Sequence, residues 1–167
     1  MRQLALALLF LSACSTATPA PSNHATVLFF ITTDCPIANS FAPEIKRIIA
    51  EYGARGVASE VLYTDATVTD EAMKRHATEY GYTGPHGYDQ GRSRCRQYGV
   101  TVTPEAVLLN PDGTRAYRGR IDDRYLAPGN YRLQPTTREL RDAIEAVLAG
   151  RPVPVAETKA AGCPLTE

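Results

Sequence analysis

The residue best placed to do chemistry is Cys35, in the stretch ITTDCPIANS at positions 31–40. An apolar run ends just before it and Pro36 follows it, a residue tolerated at the first helical position, where no N–H is needed. A cysteine at such a helix start lies beside unpaired amide donors and the positive end of the helix dipole. Both favour the thiolate, which is the reacting form. Asp34 opposes them, since a neighbouring carboxylate disfavours a second negative charge. The plainer reading is a small buried hydrophobe at a strand end. No second thiol follows within one helical turn, because positions 38 and 39 hold Ala38 and Asn39. A disulfide partner for Cys35 must therefore come from a distance.

The other cysteines are Cys14, Cys95 and Cys163. Cys14 follows Arg2, an apolar run from Leu4 to Leu11, and Ser12-Ala13, the three-part layout of a secretory leader too short to span a bilayer. Its LSAC ending resembles the lipobox of bacterial lipoproteins. That resemblance implies a signal peptide over 1–13, lipidation of Cys14, a flexible tether over 14–24, and residence in the cell envelope. Ser15 in place of aspartate favours the periplasmic face of the outer membrane. Removing Cys14 from the count leaves three thiols in a compartment where disulfides persist. An odd number means that at least one is free or pairs between molecules.

The 167 residues, 44% hydrophobic and 22% charged, suit one globular domain with tails. Eighteen basic residues balance eighteen acidic ones, so no strong field is available to hold nucleic acid. Residues 26–31 form a short apolar run that reads as a strand buried on both faces. Ile37, Phe41, Ile45, Ile48 and Ile49 then recur at helical spacing up to Gly53. Val57–Tyr63 alternates as a second strand, and Thr69 caps a helix that ends near Gly81. A short helix stops at Gly99, and EAVLLN and TRAYRGRID form a hairpin about Pro111-Asp112-Gly113. A last helix starts at Thr136 or Thr137 and stops at Gly150. The domain so outlined covers 25–150, and 151–167 is an extended tail carrying Cys163. Parallel strands joined by helices, then a hairpin and a closing helix, give an α/β fold with a mixed four- to five-stranded sheet covered on both faces.

The FFITTDCP segment, the QYGVTVTPEAVLLNPDGTRAYRG block and the closing helix resemble the thioredoxin-like superfamily and, within it, the redoxin (peroxiredoxin-like) group. The resemblance covers roughly 25–150. It implies a thioredoxin-like fold, a cis Thr103–Pro104 bond facing Cys35, and a thiol oxidoreductase that needs no cofactor and no metal. Thr32, Thr33, Pro36, Thr103 and Pro104 are then substrate-binding residues, and the partners are protein thiols or disulfides, or a small peroxide.

The departures from these relatives are as informative. Thioredoxins have a second cysteine where Ala38 stands, and copper-chaperone relatives have one where Asn39 stands. Peroxiredoxins share Thr32 and Pro36 but have proline where this chain has Leu28. Arg118 and Arg120 are the candidate thiolate partners, with solvated strand residues as the plainer reading. Related redoxins often end in a glycine-cysteine tail like GCPL here, which implies Cys35–Cys163 as the redox pair. Cys95 is the rival resolving thiol, and a free thiol on a disordered tail is the bland reading of Cys163. A binding module without turnover, holding copper through Cys35, Cys163, His76 and His86 or holding a protein partner, is the competing function. His76, beside Lys74 and Arg75, reads more simply as a surface histidine. Asp122 and Asp123 read as loop and cap residues, with Tyr117, Tyr125 and Tyr131 packed round their loop.

Overall fold

The computed structural model describes residues 24–165, so the leader, the lipidation site expected at Cys14 and most of the tether lie outside the described residues. In chain order the elements are β1 (Thr26–Ile31), α1 (Pro36–Gly53), β2 (Ala58–Tyr63), α2 (Asp70–Tyr80), β3 (His86–Tyr88), α3 (Ser93–Tyr98), β4 (Val102–Thr103), β5 (Glu105–Leu109), β6 (Arg115–Gly119), β7 (Tyr125–Ala127), β8 (Asn130–Tyr131), α4 (Glu139–Leu148) and β9 (Cys163–Pro164). Strands β3-β2-β1-β5-β6 form one mixed sheet in that order. β1 lies at its centre, parallel to β2 and antiparallel to β5.

The apolar run of β1 is buried on both sides because alternate side chains point to opposite faces. Val27, Phe29 and Ile31 meet α1, α2 and α4 in one core, through residues such as Phe41, Ile45, Met73 and Ile144. Leu28 and Phe30 point the other way and pack with Leu62, Val107 and the α3 residues Cys95 and Tyr98. Each large apolar side chain so buried contributes about 2 kcal/mol. The strand β3 adds a fifth member to the sheet, pairing His86–Tyr88 with Val61–Tyr63.

The closing helix does not begin on a threonine cap. Its N-cap is Arg138, with no side-chain bond. Thr136 and Thr137 are taken by Asp123, which accepts from both backbone amides and from the Thr136 hydroxyl and also pairs with Arg132. Asp123 and Asp122 are buried braces of the loop. Tyr125 and Tyr131 do pack there as a tilted pair, ring centroids 5.7 Å apart, while Tyr117 is fully buried in the main core.

The segment after Gly150 is extended and fastened down, which overturns the disordered-tail reading. Arg118 N donates to Ala156 O and Thr158 N to Arg118 O, each at 3.0 Å, so the tail runs beside β6. The Thr158 hydroxyl lies 2.7 Å from the Tyr117 hydroxyl and accepts from Arg120 N at 3.1 Å. Gly119 makes this seat possible. Its φ is 147°, and a Cβ there would stand 2.5 Å from the Thr158 carbonyl oxygen. The tail then crosses to β4, where β9 pairs antiparallel with Val102 and Thr103 and Leu165 N donates to Thr101 O at 3.0 Å. Gly119→Ala is expected to destabilise the fold by about 1–3 kcal/mol and to open residues 156–160 to limited proteolysis. An unchanged digestion pattern would show that the tail is not held in this way.

Candidate active site

The parallel strands β1 and β2 end together, with Ile31 beside Tyr63, and the site is built at that end of the sheet. Cys35 is the N-cap of α1, with Pro36 at its first turn. Its Sγ accepts from Ala38 N at 3.5 Å and donates to the Thr103 carbonyl at 3.1 Å. The thiol is therefore clamped between an orphan amide of the helix start and the residue before Pro104, and it is 1% exposed. The Thr103–Pro104 bond is cis. Thr103 is buried, and its hydroxyl lies 3.2 Å from that of Thr32.

Cys163 arrives from the tail as the register partner of Thr103. Its thiol is pushed up to about 12, first by burial and then by the neighbouring Cys35 and Asp34. At neutral pH it remains a thiol. No disulfide joins the two residues in this structure. The approach depends on Gly162, which is buried. A Cβ there would sit 2.2 Å from the Thr103 carbonyl oxygen, and backbone cannot yield as a flexible side chain can.

Cys95 is not brought to this place. It is buried on the opposite face of the sheet, its amide donates to Asp89 at 2.9 Å, and burial together with Asp89 pushes its thiol far up. Arg118 and Arg120 are not at the thiol either; both are partly exposed and held in ion pairs. Arg118 is held by the Gly99 carbonyl and by Glu157 and Glu105, and Arg120 by Glu139.

The turn before Cys35 is braced by residues that the sequence did not single out for it. Thr33 donates from its amide and hydroxyl to the Asp65 carboxylate at 3.1 and 3.3 Å. Burial raises the Asp65 carboxyl above the usual range, and those bonds only partly offset it. The signal for Asp65 was available in the strand ends, since segments leaving two adjacent parallel strands must meet. The Thr33 carbonyl accepts from the Asn39 amide at 3.1 Å, which turns Asn39 Oδ1 towards His76 Nε2 at 3.0 Å. Nε2 must then carry the proton, and Nδ1 accepts from the Tyr63 hydroxyl at 3.0 Å. His76 is thus a buried strut stacked on Tyr80, not a surface residue, and both its nitrogens are engaged. That removes it from the copper reading. His86 stands apart at the exposed sheet edge, and among the described residues no three His, Cys, Asp or Glu side chains gather to hold a metal.

Beside the thiol pair lies a cleft of about 430 Å³, lined by Thr32, Asp34, Asp65, Arg92, Cys163 and Leu165 among others. A helix-start thiol on the Thr103 carbonyl, a tail cysteine paired with the same residue and an open cleft alongside form an arrangement suited to disulfide exchange. Comparison with known proteins places the chain more firmly. The Redoxin family model matches residues 11–125. The chain belongs to the Redoxin family. It is 31% identical over 86 residues to the thiol-disulfide oxidoreductase ResA of Bacillus thuringiensis (strain Al Hakam), a match covering 52% of this chain and 49% of ResA. The matched region is thus about half the length of that relative.

Among solved structures, an uncharacterized conserved protein from Geobacillus kaustophilus superposes with a TM-score of 0.79 at 29% identity, over 89% of this chain and 79% of its own. A hypothetical protein from Sinorhizobium meliloti 1021 gives 0.76 at 26% identity, over 87% and 80%. A secreted Mycobacterium tuberculosis disulfide oxidoreductase shares the fold at a TM-score of 0.51 and 22% identity, over 78% of this chain and 84% of its own. The thioredoxin-like α/β fold expected from the sequence is the one observed.

Burial lowers the His76 pKa below the ordinary histidine value, so the folded state binds the proton less well than the unfolded chain. Stability should therefore fall as pH drops through about 6.5, where the unfolded histidine protonates. The stability gap between wild type and His76→Gln is expected to narrow from pH 7.5 to pH 5.5 in denaturant melts. Parallel curves would sink the assignment of His76 as a neutral strut.

Proposed function

We propose that the protein is an exported thiol–disulfide oxidoreductase whose redox pair is Cys35 and Cys163. The observation that carries this is the register of the tail: Cys163 pairs with Thr103, the residue whose carbonyl accepts from the Cys35 thiol, which brings the tail cysteine to the helix-start cysteine. Cys35, as the thiolate, attacks one sulfur of a partner disulfide, and the other sulfur leaves as a thiolate that takes up a proton. Cys163 loses its proton and attacks the Cys35 sulfur, closing the Cys35–Cys163 disulfide and releasing the partner's cysteine. Two electrons pass from the pair to the partner, and an external dithiol reverses the change. The raised pKa of Cys163 supports this division of labour, since a resolving thiol that stays protonated does not compete for the first attack.

A disulfide substrate is favoured over a peroxide. The Thr32 hydroxyl is turned to Thr103, and the two candidate arginines are committed to carboxylates elsewhere. The copper-holding module is disfavoured by the loss of His76 as a ligand. Thr33 and Pro36 shape the attacking turn, and Thr103 with Pro104 forms the opposite wall.

With an excess of a small disulfide, Cys163→Ser should trap a mixed disulfide on Cys35 that wild type and Cys95→Ser clear, as read by mass mapping. Equal accumulation in Cys95→Ser would move the resolving role to Cys95. The leader supports an envelope location with a lipid at Cys14. Cys14→Ser should abolish incorporation of labelled fatty acid and shift the protein from the membrane to the soluble fraction; undiminished labelling would refute the anchor.

A further inference from the structure

The tail that delivers Cys163 also occupies the ground a protein substrate needs. Cys35 is 1% exposed with the tail in place. A partner cysteine under attack must put its sulfur against Cys35 Sγ, and the tail, with Cys163 paired to Thr103, now covers that approach. The strip beside it is a backbone edge, β4, and β9 pairs with it as an added antiparallel strand. An extended segment of another protein would use that edge in the same way.

We propose that residues 161–165 act as a displaceable mimic of the substrate, holding the β4 edge until an extended cysteine-bearing segment of a partner protein replaces them. The proposal rests on Cys35 being the attacking thiol. The seat defines what fits. Directly before the cysteine the chain passes so close to the Thr103 carbonyl that a Cβ would stand 2.2 Å from its oxygen, so glycine is selected there. Two residues after the cysteine, Leu165 packs on the second core and lines a cleft with Val100 and Cys95, so an apolar residue is selected there. The fitting segment reads Gly-Cys-x-apolar.

The attachment is suited to release and return. Pro164, opposite Val102, has no N–H to give to the pairing, and Pro164 is exposed. Upstream, Thr158 is bonded to Tyr117, Arg118 and Arg120 and stays behind as an anchor. Lys159 and Ala160 lie between the anchor and the displaceable segment. From Thr158 the lifted Cys163 can travel at most about 17 Å, five residues at about 3.3 Å each. The resolving thiol is therefore kept at high effective concentration while the partner is bound.

The test uses the full chain with Cys163→Ser, alone or combined with Gly162→Val or with Leu165→Asp to unseat the tail by two independent routes. The probes are the peptide Ala-Ala-Gly-Cys-Pro-Leu activated as its thionitrobenzoate disulfide, the same peptide with valine before cysteine, and the small disulfide of thionitrobenzoate itself. Mass mapping assigns the adduct to Cys35. Unseating the tail should speed the glycine peptide about tenfold, on the order expected for breaking one or two backbone hydrogen bonds. In the unseated chains the glycine peptide should outpace the valine peptide. Equal peptide rates with the tail seated and unseated, or no preference for glycine, would overturn the mimic while leaving the reaction with the small disulfide intact. A Cys35 that reacts with none of the three probes would instead overturn the reading on which the proposal rests.

Discussion

The carbonyl oxygen of Thr103 accepts the Cys35 thiol at 3.1 Å, and the close pass of Gly162 is made against the same atom. One backbone group thereby ties together the start of α1, the segment before Pro104, and the far end of the chain. The sheet holds these parts in position. β1 aims α1 at the site, β5 carries Pro104 back alongside it, and the edge of β6 guides the tail across. If the main core shifted, the carbonyl and the two sulfurs would separate together.

The support beneath Cys35 is polar and fully connected. Asp65 holds Thr33 from one side, and Asn39, His76 and Tyr63 hold it from the other in an unbroken line. A buried line of this kind stabilises only when each member is satisfied. Asn39 therefore has a positive role where a relative would have a thiol: it fixes the turn that a local disulfide would otherwise have constrained. Ala38 contributes its backbone amide to the sulfur, which any residue could do.

Much of this was legible in the residues. The buried period-two pattern of β1, the stop at Gly81, the hairpin about Asp112-Gly113 and the helix start at Pro36 all follow from local chemistry. The opposition of Cys35 and Thr103 came from the resemblance of two motifs. Three things were not legible, each because a long-range partner decided it. Thr136 and Thr137 have the right chemistry for a cap, but their hydroxyls are engaged by carboxylates, Thr136 by Asp123 and Thr137 by Glu139. His76 has charged sequence neighbours, yet its own face of α2 turns inward. The course of residues 151–165 has no hydrophobic period because the segment is held by β6, Thr158 and the absence of a side chain at Gly119.

The burial of Cys95 on the opposite face has a consequence for which thiols can meet. Among the described residues three free thiols, if all could meet, would allow three different pairings. Here Leu28, Phe30 and Leu62 of the sheet pack around the third sulfur, which lies in a different core from the other two. The sheet stands between them: Cys35 and Cys163 share one side, and Cys95 is walled off on the other.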